Sequence, residues 1–271
     1  MTAGKDQVLL SLVLPAYNCR QFLRGSLEKA VVYFNKLAWP FEIVCVDDGS
    51  TDGTDRIEPP DGSVRILRHD ANRGKGRAVR TGMLASKGLV RVFTDADLPY
   101  GLDCVALAAY YILLKGYHLV VGDRTLEGSV YHAAVEPLRS FASRVFSFFV
   151  GRLITGGFYD TQCGLKAVGG EVADLLFPRL RVNRFAMDVE LIYACLINNL
   201  DIKRIPVILE RNEGSTVRLA RDSLRTLADV LLMKYARSRG AYRLPRRPST
   251  HLVPLHTAIE QVEKYISAKE D

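Results

Sequence analysis

The sequence has no pair of cysteines at CxxC spacing, no apolar run long enough to cross a bilayer and no internal repeat or low-complexity tract. Its five cysteines, Cys19, Cys45, Cys104, Cys163 and Cys195, are scattered and odd in number. That excludes a disulfide framework and a zinc site and fits a reducing compartment. The longest apolar stretches, Val105–Val121 and Phe141–Thr155, are broken by Lys115 and His118 and by Arg144 and Arg152. Neither reaches the roughly 20 apolar residues of a membrane span. Met1 to Gln7 is short and polar and runs straight into an apolar segment, so no signal peptide is expected there. A net charge of +7 calls for an anionic partner. The chain has no nucleic-acid recognition motif and no basic residues interleaved with aromatics on a sheet face, which leaves phosphate or a lipid head group.

What is present is an ordinary globular composition, 48% hydrophobic and 25% charged over 271 residues, enough for one large domain or two small ones. Short β-branched runs at Val8–Leu14, Phe41–Val46, Val64–Leu67, Leu89–Phe93 and Tyr117–Val121 alternate with helical stretches at about Arg20–Leu37, Gly76–Ser86 and Asp103–Leu114. This predicts an α/β fold with a mostly parallel, buried sheet. The second half is less regular. Helices are predicted at Glu136–Thr155, Ala186–Asn198 and Arg221–Arg239, strands at Gly164–Val168 and Lys203–Leu209, then a proline-bearing linker, Ala241–Pro254, and a last helix. In such sheets ligands bind beyond the carboxyl ends of the strands. The polar clusters follow the first, second, fourth and fifth strands, where that rule wants them.

Four clusters carry chemistry. Asp95-Ala96-Asp97 ends the fourth strand, and on an extended segment its alternate carboxylates face one way. Two hard oxygen donors suit Mg²⁺ or Mn²⁺; a solvated turn or helix cap is the alternative. The run from Asp47 to Thr54 closes the second strand, with Asp48 read as facing a ligand and Asp52 or Thr54 as turn and cap residues. Asn72 to Arg77 opens a helix. Its glycines, the helix start and Lys75 suit a phosphate, though the spacing is not that of the nucleotide-binding P-loop and a solvated basic turn is the alternative. Pro15 to Asn18 follows the first strand, either as an ordinary strand-to-helix turn or with Tyr17 offering an aromatic face to a base.

Taken in order, "LVLPAYN", "VCVDDGSTDGT", "NRGKGRAVRTGMLASKG", "FTDADL", "DTQCGLKAV" and "RFAMDVELIYACL" resemble the family 2 glycosyltransferases of the GT-A fold. The likeness covers roughly residues 8–240 and is strongest to the polyprenyl-phosphate group, dolichyl-phosphate β-glucosyltransferases above all, with dolichyl-phosphate mannose synthases as relatives. It implies a GT-A domain over 1–240, with helices on both faces of the sheet, and a C-terminal linker and helix over 241–271. It implies that Pro15, Tyr17 and Asp48 hold the nucleoside, with Lys75 and Asp95 toward the diphosphate and Asp95 and Asp97 on the metal. Arg124 and Arg139 would face phosphates, and Asp160, Gln162 and Asp188 would line the sugar and acceptor side. Such enzymes often have an acidic residue where this chain has Cys19, so the preferred base is not inferred.

The reaction so implied is inverting transfer of a hexose from a nucleotide sugar, UDP-glucose ahead of GDP-mannose, to a dolichyl or undecaprenyl phosphate, with Mg²⁺ or Mn²⁺. A hydroxyl acceptor would need a general base, for which Asp160 and Asp188 are candidates. For Asp188 the alternative is a carboxylate at a helix start. A phosphate acceptor is already largely ionised and needs positioning, by Arg124, Arg139 and either Arg211 or Arg218. The Arg221–Arg239 helix, with Leu224, Leu227, Leu231 and Tyr235 in one stripe and Arg243, Arg246 and Arg247 beyond, suits either a membrane surface or the core. Phe141, Phe146, Phe148 and Phe149 would either edge an acceptor groove or pack in the core. The expected location is the cytoplasm, peripheral on a membrane. A soluble transferase with a small hydroxyl acceptor, and a sugar-nucleotide-binding protein without turnover, are the competing readings.

Overall fold

The computed structural model describes residues 7–131, 160–161, 163–209 and 219–250. The strands are β1 (Leu10–Ala16), β2 (Phe41–Asp47), β3 (Val64–Arg68), β4 (Val90–Phe93), β5 (Leu119–Asp123), β6 (Val130–Tyr131), β7 (Lys166–Gly169), β8 (Ile202–Pro206) and β9 (Ile208–Leu209). The α-helices are α1 (Arg20–Lys36), α2 (Lys75–Ala85), α3 (Gly101–Leu113), α4 (Gly170–Leu176), α5 (Met187–Ile197) and α6 (Leu219–Ser238). Seven strands form one sheet in the order β3-β2-β1-β4-β7-β5-β8, and β6 pairs with β9 apart from it.

Strand residues alternate between two cores, as the period of two requires. Leu10, Leu12 and Leu14 of β1, Ile43 and Cys45 of β2 and Val120 of β5 face α1 and α3, packing on Leu27, Phe34, Val105 and Ile112. Val13, Val44, Val46 and Val121 face the other way, onto Val79 and Met83 of α2, Leu176 of α4, Leu191 of α5 and Met233 of α6. The expected helices on both faces are therefore present, and so is the mostly parallel sheet. One strand departs from it. β7 runs antiparallel to both β4 and β5 and lies between them. Its first residue, Lys166, stands opposite Phe93 and Val121, at the carboxyl ends of its neighbours. The short helix α4, absent from the sequence reading, follows β7 directly.

Helix α6 carries two apolar faces. Val230, Met233 and Ala236 are buried, whereas Leu231 and Tyr235, both in the apolar stripe read from the sequence, are each 61% exposed. Beyond α6 the proline-bearing stretch lies along the domain. Tyr242 is buried and donates its hydroxyl to Glu190 Oε1 (2.5 Å), and Leu244 N donates to Asn198 Oδ1 (3.0 Å). Both docking residues precede Pro245, and Arg247, between Pro245 and Pro248, pairs with Asp201 (2.8 Å). Among the described residues no helix is long and apolar enough to cross a membrane. All five cysteines are buried and free. The predicted helix at Glu136–Thr155 and the last helix lie outside the described residues.

Candidate active site

The loops after β1 and β2 are laced together. Asp48 N donates to Ala16 O (2.8 Å), Asn18 N to Ser50 Oγ (2.9 Å) and Thr51 N to Asn18 Oδ1 (2.9 Å). Asp52 and Thr54 cap α1 from outside. Asp52 Oδ2 accepts from Arg20 N (3.1 Å), and Thr54 Oγ1 accepts from the N–H of Cys19 (3.0 Å), whose thiol burial pushes up to about 11. Pro15 is half-buried and Tyr17 is 50% exposed at the end of β1.

Asp48 is buried beneath the loop that leads into α2. Its Oδ1 meets His69 Nδ1 (2.7 Å) and accepts from Arg73 N (3.0 Å), and its Oδ2 accepts from Gly74 N (2.7 Å). Gly74 has φ +98°, a left-handed conformation, and a Cβ there would collide with Asn183 O. The loop is thus held from both sides, and it launches Lys75 as the first residue of α2. The Lys75 ammonium reaches Asp95 Oδ1 at 2.5 Å.

Asp95 lies just past the end of β4. Its side chain is 38% exposed and that of Lys75 18%, so the pair is partly open to solvent. Burial would raise the Asp95 pKa, but the Lys75 ammonium prevails and holds it below the usual carboxylate range. The other oxygen, Oδ2, is packed so closely on Gly164 that any Cβ there would collide with it. Asp97 is likewise half-buried.

Arg124, the residue after β5, grips Asp160 in a two-pronged pair. Nε donates to Oδ2 (2.8 Å), Nη2 to Oδ1 (2.7 Å), and the Arg124 backbone N–H adds a third bond to Oδ2 (2.8 Å). Burial opposes ionisation of Asp160, yet the guanidinium holds its carboxyl below the usual range. Asp188, in the first turn of α5, is buried and pairs with Lys166 Nζ at 2.9 Å. Lys166, which the sequence reading overlooked, is wholly buried, donates to Cys163 O (2.5 Å) and stands 5.7 Å from the Phe93 ring centroid. Only the reversed direction of β7 brings this lysine to the same end of the sheet as Asp95. Its signal in the sequence was a lysine within "DTQCGLKAV", set in an apolar strand where a lysine needs a buried partner. Burial pushes the Cys163 thiol up to about 11, so it is no nucleophile at neutral pH.

The structure therefore gathers Lys75, Asp95, Arg124, Asp160, Lys166 and Asp188 into one charge network at the carboxyl end of the sheet. The charges of Lys166 and Arg124 act on Asp95, and that of Asp188 acts on Lys75. Asp48 contributes by holding the loop that places Lys75. Arg139, Gln162, Arg211, Arg218 and the phenylalanines Phe141, Phe146, Phe148 and Phe149 lie outside the described residues. The described residues hold no cluster of three or more His, Cys, Asp or Glu side chains that would cage a metal ion by itself. Asp95 and Asp97 lie in a turn, with Leu98 N donating to Asp95 O (3.0 Å), and not on the extended segment expected, so alternation along a strand does not align them. As hard oxygen donors they still match Mg²⁺ or Mn²⁺, which are commonly held by one or two carboxylates with substrate phosphates completing the shell.

The family model described as glycosyl transferase family 2 matches residues 11–169, the span from β1 through β7. The dolichyl-phosphate beta-glucosyltransferase of Dictyostelium discoideum is 30% identical over 254 residues, covering 88% of this chain and 78% of the relative. The protein of that name from Homo sapiens is 30% identical over 256 residues, covering 87% and 78%. Among solved structures, glucosyl-3-phosphoglycerate synthase from Mycobacterium tuberculosis, in complex with Mn²⁺, UDP-glucose and phosphoglyceric acid, superposes with a TM-score of 0.61 at 18% identity, over 83% of this chain and 79% of that one. Mannosyl-3-phosphoglycerate synthase from Rubrobacter xylanophilus gives 0.56 at 16%, over 89% and 78%. These likenesses carry the fold, and the family match carries the kinship: a chain with this sheet order and this row of strand-end motifs belongs to glycosyl transferase family 2 and has the GT-A fold.

Proposed function

We propose that the protein is an inverting glucosyltransferase that moves glucose from UDP-glucose to a polyprenyl phosphate, of the dolichyl or undecaprenyl kind, with the help of Mg²⁺ or Mn²⁺. The observation that carries this reading is the 30% identity to a dolichyl-phosphate beta-glucosyltransferase over 88% of the chain. The complex of a structural neighbour with Mn²⁺ and UDP-glucose supports the donor and the metal.

In this reading Pro15 and Tyr17 border the nucleoside, and Asp95 and Asp97 hold the divalent ion. Asp48, buried and bonded to the loop before α2, shapes that loop rather than facing the ligand as expected. When bound, that ion neutralises charge on the departing diphosphate. Lys75 supplies further positive charge to the same oxygens. Arg124 and Arg139 orient phosphates, while Gln162 and Asp188 border the sugar. The ion pairs support a phosphate acceptor. Asp160 is locked onto Arg124 with its pKa depressed, and Asp188 is paired with Lys166. A carboxylate with a depressed pKa, as in Asp160, abstracts protons poorly and fixes a cation well, and the pairing of Asp188 likewise commits it to Lys166. A phosphate monoester, already ionised near neutral pH, asks only for the second service.

The acceptor's lipid chain places the enzyme on a membrane surface, at its cytoplasmic face. The outward face of α6 supports that location, since Leu231, Leu232 and Tyr235 are exposed beside the exposed Lys234 and Arg239. The test is transfer of radiolabel from UDP-glucose and GDP-mannose to a short polyprenyl phosphate, scored by partition into organic solvent. Label from UDP-glucose that EDTA abolishes is the expected result. Metal-dependent donor consumption with all label left in water would replace the lipid acceptor by a small hydroxyl compound. Donor binding without consumption would reduce the protein to a sugar-nucleotide binder.

A further inference from the structure

Asp95 is claimed twice: a divalent ion needs its carboxylate, and in the structure Lys75 already occupies it. The Lys75 ammonium lies 2.5 Å from Oδ1, and Gly164 closes on Oδ2. Lys75 is not there by the drift of a long side chain alone. Its backbone is clamped by Gly74 on one side and Gly76 on the other, where any Cβ would collide with the Asn183 and Arg184 carbonyl oxygens. Asp48 fixes the approach through the N–H groups of Arg73 and Gly74. The rest of the chain is flexible (CH₂)₄, so the ammonium can swing while its anchor stays put.

We propose that Lys75 is a built-in surrogate for the divalent ion. In the donor-free protein its ammonium neutralises Asp95 and competes with the ion there. When a nucleoside diphosphate arrives, Lys75 turns to the phosphate oxygens and leaves Asp95 to the metal. The inference rests on the metal and donor assignment made above. Its consequence is thermodynamic. Metal alone binds weakly, and metal and nucleotide each strengthen the other by the same factor, because coupling between two binding sites is reciprocal. The surrogate is also the one cation in direct contact with Asp95 among the ion pairs described, Arg124 and Lys166 being engaged by Asp160 and Asp188.

The test measures Mn²⁺ binding by electron paramagnetic resonance of the unbound ion, with and without UDP, on the wild type and on Lys75→Met, Lys75→Gln, Lys75→Arg and Arg73→Gln. Wild type is expected to bind Mn²⁺ at least about tenfold more tightly with UDP than without. Lys75→Met and Lys75→Gln should tighten binding of Mn²⁺ alone about five- to tenfold and shrink the gain from UDP to about twofold. Lys75→Arg, which keeps the charge, should stay near wild type. Arg73→Gln, which removes a nearby charge that does not touch Asp95, should change Mn²⁺ affinity less than twofold. Far-UV circular dichroism establishes that each variant is folded, and two neutral replacements guard against one failing. If both neutral variants bind Mn²⁺ alone no better than wild type, the surrogate is overturned while the metal assignment stands. Equal gains in Lys75→Met and Arg73→Gln would also overturn it, reducing the effect to general electrostatics. If wild type binds no Mn²⁺ even with UDP, the metal assignment fails and takes the surrogate with it.

Discussion

The buried pair of Lys166 and Asp188 offers the sharpest quantitative test of how the site is built. The Lys166 side chain is 0% exposed and that of Asp188 is 5% exposed, at 2.9 Å. Lys166→Met removes one partner and leaves a carboxylate in a nearly dry position, which costs about 3–5 kcal/mol in comparable buried pairs. Lys75, whose charge is coupled to that of Asp188, recovers part of this, so the lower end is expected. Asp188→Leu leaves the ammonium without its ion-pair partner, held by the Cys163 carbonyl and the Phe93 ring face, and should cost a similar amount. The double variant carries neither charge. It should be less destabilised than the sum of the two single changes by about 2 kcal/mol or more, since buried pairs replaced by apolar groups are often close to neutral. Urea unfolding at pH 7 reads this, followed by circular dichroism and by fluorescence of Trp39, the one tryptophan, which is buried. Additivity within about 0.5 kcal/mol would refute the pairing as an energetic unit.

Gly164→Ala should drive a Cβ against Asp95 Oδ2 and turn the carboxylate aside. The side chain can yield, so a stability loss under about 1 kcal/mol is expected with at least a roughly tenfold rise in donor KM; an unchanged KM would deny Asp95 its role. Arg124→Met should narrow the pH range of stability in a defined way. Asp160 has a depressed folded-state pKa, so its pairing stabilises above the unfolded value of about 3.9 and that stability is lost as pH falls through the lower folded value. The melting temperature of the variant should lie below that of wild type at pH 6, with the gap closing below about pH 4; a gap constant with pH would contradict the pairing. Replacing both Leu231 and Tyr235 by Glu, on the exposed face of α6, should cut co-sedimentation with anionic vesicles at least about fivefold, because each inserted side chain contributes about 1.5–3 kcal/mol. Equal sedimentation would remove α6 from the membrane.

Two features of the fold resisted reading from the sequence for the same reason. The strand at 164–168 was visible as an apolar run, but nothing local tells such a run which way to point or between which neighbours to lie. Its antiparallel place between β4 and β5 follows from where the chain re-enters the sheet. Lys166 was missed because a lysine in a strand reads as an edge or solvent residue until its counter-ion is known, and Asp188 lies on a different element. Likewise the stripe of Leu231 and Tyr235 was correct as a periodicity, while the choice of face was made by α5 and the sheet, which take Val230, Met233 and Ala236 instead.

The sequence alone determined the alternation of strands and helices, the placing of Asp48, Asp95 and Arg124 just past strand ends and of Lys75 at a helix start, and the family likeness. Each of these is local: side-chain period, turn chemistry and motif order act over a few residues and survive without knowledge of partners. Tertiary structure decided which charges meet. Lys75 found Asp95, Arg124 found Asp160 and Lys166 found Asp188 across separations of 20, 36 and 22 residues. An ion pair is a property of distance and burial in space, and those are set only when the whole sheet has assembled.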